Sequence, residues 1–217
     1  MASEKHSIEQ IEKVGAVSGI LSIIFYFSVA VMSFIPDRIA LLIAFTFPLL
    51  WIISFMGIHH FLKKERHTVT LEIGYVFAII GSALVLTLLV VQQANFIWHE
   101  EALAGVESDA GRDLLKAAFR GANRVQAGMD VAFDIFITVG WFLIGLNIAK
   151  SSSFNRILGW SGSLIAAGLL TLNMITFPTA PAEAGLIDLG PFLGIWALVF
   201  FTWFLVVVFR RKKFQPE

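Results

Sequence analysis

Long apolar stretches separated by short polar segments dominate the chain. A helix that crosses the hydrocarbon core of a membrane needs about 20 consecutive, mainly apolar residues. Six stretches reach that length, at residues 14–35, 39–62, 71–97, 129–149, 157–177 and 189–209. This pattern predicts an all-α, polytopic membrane protein, a bundle of six transmembrane helices, with the whole chain, 1–217, forming a single membrane domain.

The positions of lysine and arginine predict how the bundle is oriented. Short cytoplasmic segments carry an excess of these residues, and six spans place both termini on one side. With the N-terminus inside, the cytoplasmic segments hold eleven basic residues, namely Lys5, Lys13, Lys63, Lys64, Arg66, Lys150, Arg156, Arg210, Arg211, Lys212 and Lys213. The outer segments hold five, Arg38, Arg112, Lys116, Arg120 and Arg124. We therefore expect both termini in the cytoplasm and the bundle in the plasma membrane, with the first span retained rather than cleaved as a signal peptide.

Composition narrows the function classes. Hydrophobic residues make up 57% of the chain and charged residues 15%, against about 25% charged in a soluble domain, so membrane lipids are the expected surroundings. The 16 basic residues equal the 16 acidic ones in number, which argues against nucleic-acid binding. The absence of cysteine from the sequence excludes disulfides, thiolate metal sites and cysteine nucleophiles.

Small residues within the spans predict close contacts between helices, because transmembrane helices pack through small side chains. The first span contains Gly15-x-x-x-Gly19, and further small residues cluster at 81–83, 161–163 and 166–168. Such contacts form either within one chain or between two copies. The sequence leaves open a homo-oligomer built through these faces.

Polar side chains inside the spans are the main indication of a site, since an ionised group at the centre of a transmembrane helix costs about 2.5–3.5 kcal/mol on insertion scales. Asp130 and Asp134 are four residues apart and share one helical face. Counted from the ends of their apolar runs, the deeper polar groups lie about 6–8 Å below the outer surface. We predict an extracytoplasmic polar pocket lined by Gln92, Asn95, His99, Asp130, Asp134 and Asn173.

The long segment 99–128, between the third and fourth spans, predicts an amphipathic helix lying along the membrane surface. Four basic residues recur at every fourth position, and Ser108 or Asp109 is a suitable N-cap. We add Arg120 and Arg124 to the candidate ligand-binding residues, because either would pair with Asp134 if it folded over the pocket. Alternatively, acidic residues of the same loop neutralise the basic stripe, namely Glu100, Glu101, Glu107, Asp109 and Asp113.

Structural roles compete with the pocket for several of these residues. Asp130 lies in the first turn of its predicted span, where the helix dipole favours a carboxylate. Glutamine, asparagine and histidine also serve as hydrogen-bonding contacts between helices. At the inner side, Glu72 lies near several lysine and arginine residues, which predicts an interfacial ion cluster. Asp188, with Pro191 three residues later, favours a helix start that faces the outer pocket, but we prefer the alternative of a simple loop over 177–191.

Three functions remain open on the sequence alone. The leading hypothesis is a pocket that binds or translocates a small polar or amphiphilic solute. The second is a metal-dependent membrane enzyme at the same pocket, although the candidate ligands form no established zinc motif; they are His99, Glu100, Asp130 and Asp134. The third is an accessory protein with no ligand. The sequence identifies no cofactor and no catalytic residue, and we favour a function without enzymatic activity.

Overall fold

A computed structural model describes the backbone of residues 2–31 and 37–210, with side chains described over 10–28 and 38–210. These residues form six α-helices and no strand. In chain order the helices are α1 (Ala2–Val31), α2 (Asp37–Glu65), α3 (Val69–Ala104), α4 (Asp109–Ile148), α5 (Arg156–Thr176) and α6 (Gly190–Arg210). The side chains of Thr68, Ser108 and Asn155 accept backbone N–H bonds at the starts of α3, α4 and α5, as N-caps do.

The six helices confirm the all-α prediction, and each is long and apolar enough to cross a membrane. Every predicted span falls on one of them, although residues 32–35 of the first span lie outside the described residues. Arg211, Lys212 and Lys213, which contributed to the predicted orientation, also lie outside them, as does the side chain of Lys5. The protein is therefore a multi-pass membrane protein by the length and composition of its helices.

The helices form a closed ring in which each packs against its neighbours in the chain, and α6 returns to α1. Aromatic side chains fill the middle of this ring. Trp141 of α4 is 1% exposed, and its ring centroid lies 4.9 Å from that of Phe55 and 5.2 Å from that of Trp196. Large buried rings of this kind supply dense contact in a bundle that has no hydrophobic drive between its helices.

Glycines allow the closest approaches between helices of the ring. A Cβ atom placed on Gly15 would lie 2.7 Å from the Cα atom of Gly57, so α1 and α2 touch along their backbones. A Cβ atom on Gly19 would lie 2.1 Å from the ring of Phe201 in α6. The small residues of the first span thus contact helices of the same chain. A homo-oligomer through other small-residue faces stays a prediction.

The hairpin of α3 and α4 differs from the sequence-based prediction. Residues 99–128 do not form a separate surface helix, because they belong to the ends of α3 and α4, which a short turn at 105–108 connects. The helical period was predicted correctly, but it does not tell a surface helix from the extension of a transmembrane one. The apolar side of the extension faces a second helix, as shown by His99 of α3 stacking on Phe119 of α4.

This hairpin projects well beyond the rest of the ring. The hydrogen bond between Asp134 and Asn173 aligns α4 with α5, and it places the end of α5, at Thr176, level with Val131. The part of α4 before Val131 therefore extends about 30 Å past the end of α5. The four basic residues of the stripe are exposed on this extension, at Arg112, Lys116, Arg120 and Arg124. We call this side of the bundle the hairpin end.

Candidate functional site

One face of α4 carries the polar residues that enter the bundle from the hairpin end. Gln126, Asp130, Asp134 and Thr138 follow at every fourth position, a spacing that places successive side chains on neighbouring parts of one helical face. Gln126 and Thr138 are buried, at 5% and 0% exposure. The Thr138 hydroxyl donates to the backbone carbonyl of Asp134 at 2.5 Å, so it is satisfied within its own helix.

Close packing of α3 on α4 sets the depth of this face. Cβ atoms placed on Gly81 and Gly140 would lie 2.9 Å and 2.8 Å from backbone nitrogens of the opposite helix, at Ile137 and Ala78 respectively. This antiparallel register places Asp134 level with Leu84, in the middle of the apolar run 71–97. Asp134 is thus deeper relative to α3 than the 6–8 Å expected from the sequence. The apolar runs of the two helices are staggered, so counting from the end of one run misjudges depth in the bundle.

Asp134 meets Asn173, as the sequence predicted for the outer halves of these two helices. The Asn173 Nδ2 atom donates to Asp134 Oδ2 at 2.8 Å, linking α4 to α5. Asn173 is 4% exposed, and Asp134 is half-buried. A neutral amide therefore supplies the observed hydrogen bond to the Asp134 carboxylate. An amide donor orients a carboxylate but does not neutralise it.

Two more carboxylates lie within electrostatic reach of Asp134. Asp130 precedes it by one turn on the same face of α4, and Asp188 lies in the segment just before α6. The Asp188 Oδ1 atom accepts the Gly190 N–H at 2.8 Å, at the first residue of that helix. No lysine or arginine in the described part of the chain forms an ion pair with any of the three. We call Asp130, Asp134, Asp188 and Asn173 the Asp134 centre.

A row of aromatic rings leads from α1 to the Asp134 centre. The ring of Trp51 in α2 stacks on Tyr26 of α1 at 6.4 Å and on Phe133 of α4 at 6.3 Å, with interplanar angles of 24° and 20°. Phe133 directly precedes Asp134 in the chain. The three rings therefore pack α1, α2 and α4 together at the level of Phe133.

Two buried donors near this face have no hydrogen-bond partner. They are the indole Nε1 of Trp51, a residue that is 7% exposed, and the amide Nε2 of Gln126. Buried polar groups in folded proteins are nearly always paired, because an unpaired donor loses its bonds to water without replacement. The sequence did not single out Tyr26, Phe133 or Gln126. Of these three, only Gln126 can be recognised from the sequence, because it continues the four-residue spacing of Asp130 and Asp134.

The structure does not bring the remaining predicted pocket residues of α3 to Asp134. Asn95 donates to Asn123 of α4 at 3.2 Å, and His99 stacks on Phe119 at 4.2 Å. Asn123 and Phe119 precede Asp134 by eleven and fifteen residues of α4, or about 16 Å and 22 Å along its axis. Gln92 is exposed. Asn95 and His99 instead connect the two helices of the hairpin, so a single pocket containing all six predicted residues is not what the structure has.

The basic and metal-binding candidates also lie apart from Asp134. Arg120 and Arg124 are exposed, and the nearer of them, Arg124, is ten residues or about 15 Å along the axis. Within residues 10–28 and 38–210, no group of three histidine, aspartate or glutamate side chains is placed to hold a metal ion. His99 and Glu100 lie on the projecting hairpin, whereas Asp134 lies inside the ring where it meets Asn173 of α5, so the four candidate ligands do not meet.

The opposite end of the bundle carries a second polar cluster, centred on Glu72. Its carboxylate contacts His59 at 2.9 Å, Lys63 at 2.8 Å and His67 at 2.7 Å. The ring of Tyr75 stacks on His59 at 4.3 Å. This arrangement matches the ion cluster that the sequence predicted there, although its partners are two histidines and one lysine. We call it the Glu72 cluster.

Comparison with known proteins adds no family to this picture: no family model, curated protein or solved structure matches the chain. Function must therefore be argued from the site itself.

Proposed function

We propose that this multi-pass membrane protein binds a small polar or amphiphilic solute at the Asp134 centre, as the binding step of transport across the plasma membrane. In this proposal both termini are cytoplasmic and the hairpin end faces outward, in agreement with the bias of lysine and arginine. Lipid surrounds the ring, which fits the many large apolar side chains exposed on its helices, such as Leu42, Leu164 and Ile175.

The observation that carries the proposal is the carboxylate of Asp134 bonded to an amide between two membrane-spanning helices. Ionisable groups inside transmembrane segments are rare and costly, and they usually mark the path of a solute or proton. A purely structural pair would satisfy its members with each other. Here the one observed donor to Asp134 is a neutral amide, and no lysine or arginine among the described residues forms an ion pair with the carboxylate.

The test is a ligand screen on the full chain purified in detergent. Thermal unfolding is recorded with amines, amino acids, sugars and carboxylic acids, for the parent protein and for Asp134→Asn. We expect one class to raise the unfolding midpoint of the parent and to lose at least tenfold in affinity with Asp134→Asn, because that change removes the charge and keeps the shape.

Asp113→Asn is the matched control, since it removes the same charge from an exposed position on the same helix. This variant should respond to the ligand like the parent. Equal ligand responses in the parent and Asp134→Asn would show that the Asp134 centre is not the binding site. Transport is then measured by uptake of the identified solute into proteoliposomes.

A further inference from the structure

We propose that the hairpin end binds the headgroup of an anionic phospholipid through Arg120 and Arg124 of α4. This binding is independent of the solute at the Asp134 centre, and it applies to whichever leaflet the hairpin end faces. Three features support it: the level of the two arginines in the membrane, the lack of an ion-pair partner for them among the described residues, and the open surface around them.

The packing of α3 on α4 gives the level of the arginines. The ring of His99 in α3 stacks on that of Phe119 in α4 at 4.2 Å. Because the two helices are antiparallel, this contact places Arg120 level with Trp98. Arg124 lies one turn, or about 6 Å, closer to the middle of the bundle.

The length of α3 places this level in the headgroup region of the membrane. From Leu71, next to the Glu72 cluster, to Trp98 the helix rises about 40 Å. A bilayer is about 40–45 Å thick when its headgroup regions are included. With the Glu72 cluster at one surface, Trp98 reaches the opposite headgroup region, where tryptophan is enriched, and its side chain is 69% exposed. Arg120 therefore lies at the level of the lipid headgroups.

The two arginines have no ion-pair partner in the part of the chain that the structure describes. Both side chains are exposed, and no carboxylate of residues 10–28 and 38–210 lies within ion-pair distance of either. The acidic residues of the hairpin thus leave Arg120 and Arg124 available. A guanidinium group presents its N–H donors in a planar fork, which matches two oxygens of one phosphate group. Phosphate groups of lipids are the anions present at this level of a membrane.

The surface around the arginines is open and partly apolar. A Cβ atom placed on Gly121, next to Arg120, would meet no atom within 4 Å, so no other helix covers α4 there. Phe96 of α3, at a level between the two arginines, is 52% exposed, and Val125 is 68% exposed. Cationic and apolar side chains at one level match the phosphate and the acyl chains of a phospholipid. A free phosphate ion would use the arginines alone and leave the apolar side chains without contact.

The test uses nanodiscs that contain equal amounts of phosphatidylglycerol and phosphatidylcholine with identical acyl chains. The full chain is released from the nanodiscs in a native mass spectrometer, and the lipids that remain bound are counted. We expect phosphatidylglycerol to be enriched by about fivefold or more, which is the effect of one basic residue at an anionic surface. Salt added to the sample before release should lower the enrichment, because ions screen exposed charges.

Variants then locate the binding. Arg120→Gln/Arg124→Gln should retain the two lipids about equally, whereas Arg120→Lys/Arg124→Lys should keep most of the preference, because lysine preserves the charge. The matched control is Arg112→Gln/Lys116→Gln, which removes two charges from exposed positions of the same stripe, farther from the headgroup level. This control should keep most of the preference for phosphatidylglycerol. Size-exclusion profiles verify that each variant is folded.

Three results would overturn the proposal. The first is equal retention of both lipids by the parent, or an unchanged preference in Arg120→Gln/Arg124→Gln. The second is an equal loss of preference with Arg112→Gln/Lys116→Gln, because the stripe would then act through its total charge. The third is displacement of phosphatidylglycerol by excess inorganic phosphate, which would identify the free ion rather than the lipid as the ligand. None of these results affects the proposed binding at the Asp134 centre.

Discussion

Each end of the bundle has a carboxylate on a membrane-spanning helix, and the two carboxylates differ in their hydrogen-bonding and charged partners. The Glu72 carboxylate contacts His59, Lys63 and His67, and each of these side chains is a cation when it is protonated. Asp134 receives one bond from a neutral amide and forms no ion pair with a lysine or arginine of the described residues. The first carboxylate is compensated by the chain itself. The second is not, and this contrast is why we assign binding to Asp134 and a structural role to Glu72.

The largest expected difference is in stability. Glu72→Gln weakens three charge-assisted contacts, and because the side chain is 36% exposed we discount their strength for solvent screening. We expect a loss of about 1–2 kcal/mol in the free energy of unfolding. Asp134→Asn should change it by less than about 0.5 kcal/mol or increase it, because removing a carboxylate near like charges relieves repulsion.

Reversible unfolding in mixed detergent micelles measures both variants under one condition. Lys150→Gln, at an exposed position outside both clusters, provides the baseline for loss of a surface charge. Equal destabilisation by Glu72→Gln and Asp134→Asn would remove the contrast, since it would mean that the chain compensates Asp134 as fully as Glu72.

A smaller effect is expected at the amide partner of Asp134. Asn173→Ala removes the observed donor, and a double-mutant cycle with Asp134→Asn should give a coupling energy of about 0.6–1.7 kcal/mol, the range of hydrogen bonds between transmembrane helices. The Asn173→Ala protein should still bind the solute, more weakly, since the carboxylate remains. A coupling energy near zero would show that the amide does not orient Asp134.

The sequence predicts the helices well because an apolar run is a local signal that needs no partner. It also predicts the meeting of Asp134 and Asn173, since both residues lie near the same ends of neighbouring runs. The grouping of Asn95 and His99 with them was wrong, because backbone contacts at Gly81 and Gly140 set the stagger of α3 against α4. Counting residues from the end of an apolar run gives the depth within one helix, but it does not show how far two helices are shifted along each other.

The sequence did not predict the stacked aromatic rings, for a different reason. Tyr26, Trp51 and Phe133 come from three helices, and each lies within a run where a large ring is ordinary packing. Only the fold stacks the three rings on one another. Tertiary packing, rather than any local pattern, brings these three residues into contact.

The smallest expected effect concerns the polar contacts of the projecting hairpin. Asn95 and Asn123 form a hydrogen bond at 3.2 Å in a region of high exposure, about 16 Å along α4 from Asp134. Water competes for such a bond, so Asn95→Ala and Asn123→Ala should each cost less than about 0.5 kcal/mol. Neither change should alter solute affinity by more than about twofold, which is below about 0.4 kcal/mol.

Calorimetric titration of these two variants beside Asn173→Ala sets the boundary of the site. Asn173→Ala probes a residue in contact with Asp134, whereas the hairpin variants probe the same residue type in the same kind of bond, farther along the axis. Loss of affinity confined to Asn173→Ala places the solute inside the ring. A comparable loss with Asn95→Ala would mean that the bound solute reaches the hairpin, and the site would have to include the seam between α3 and α4.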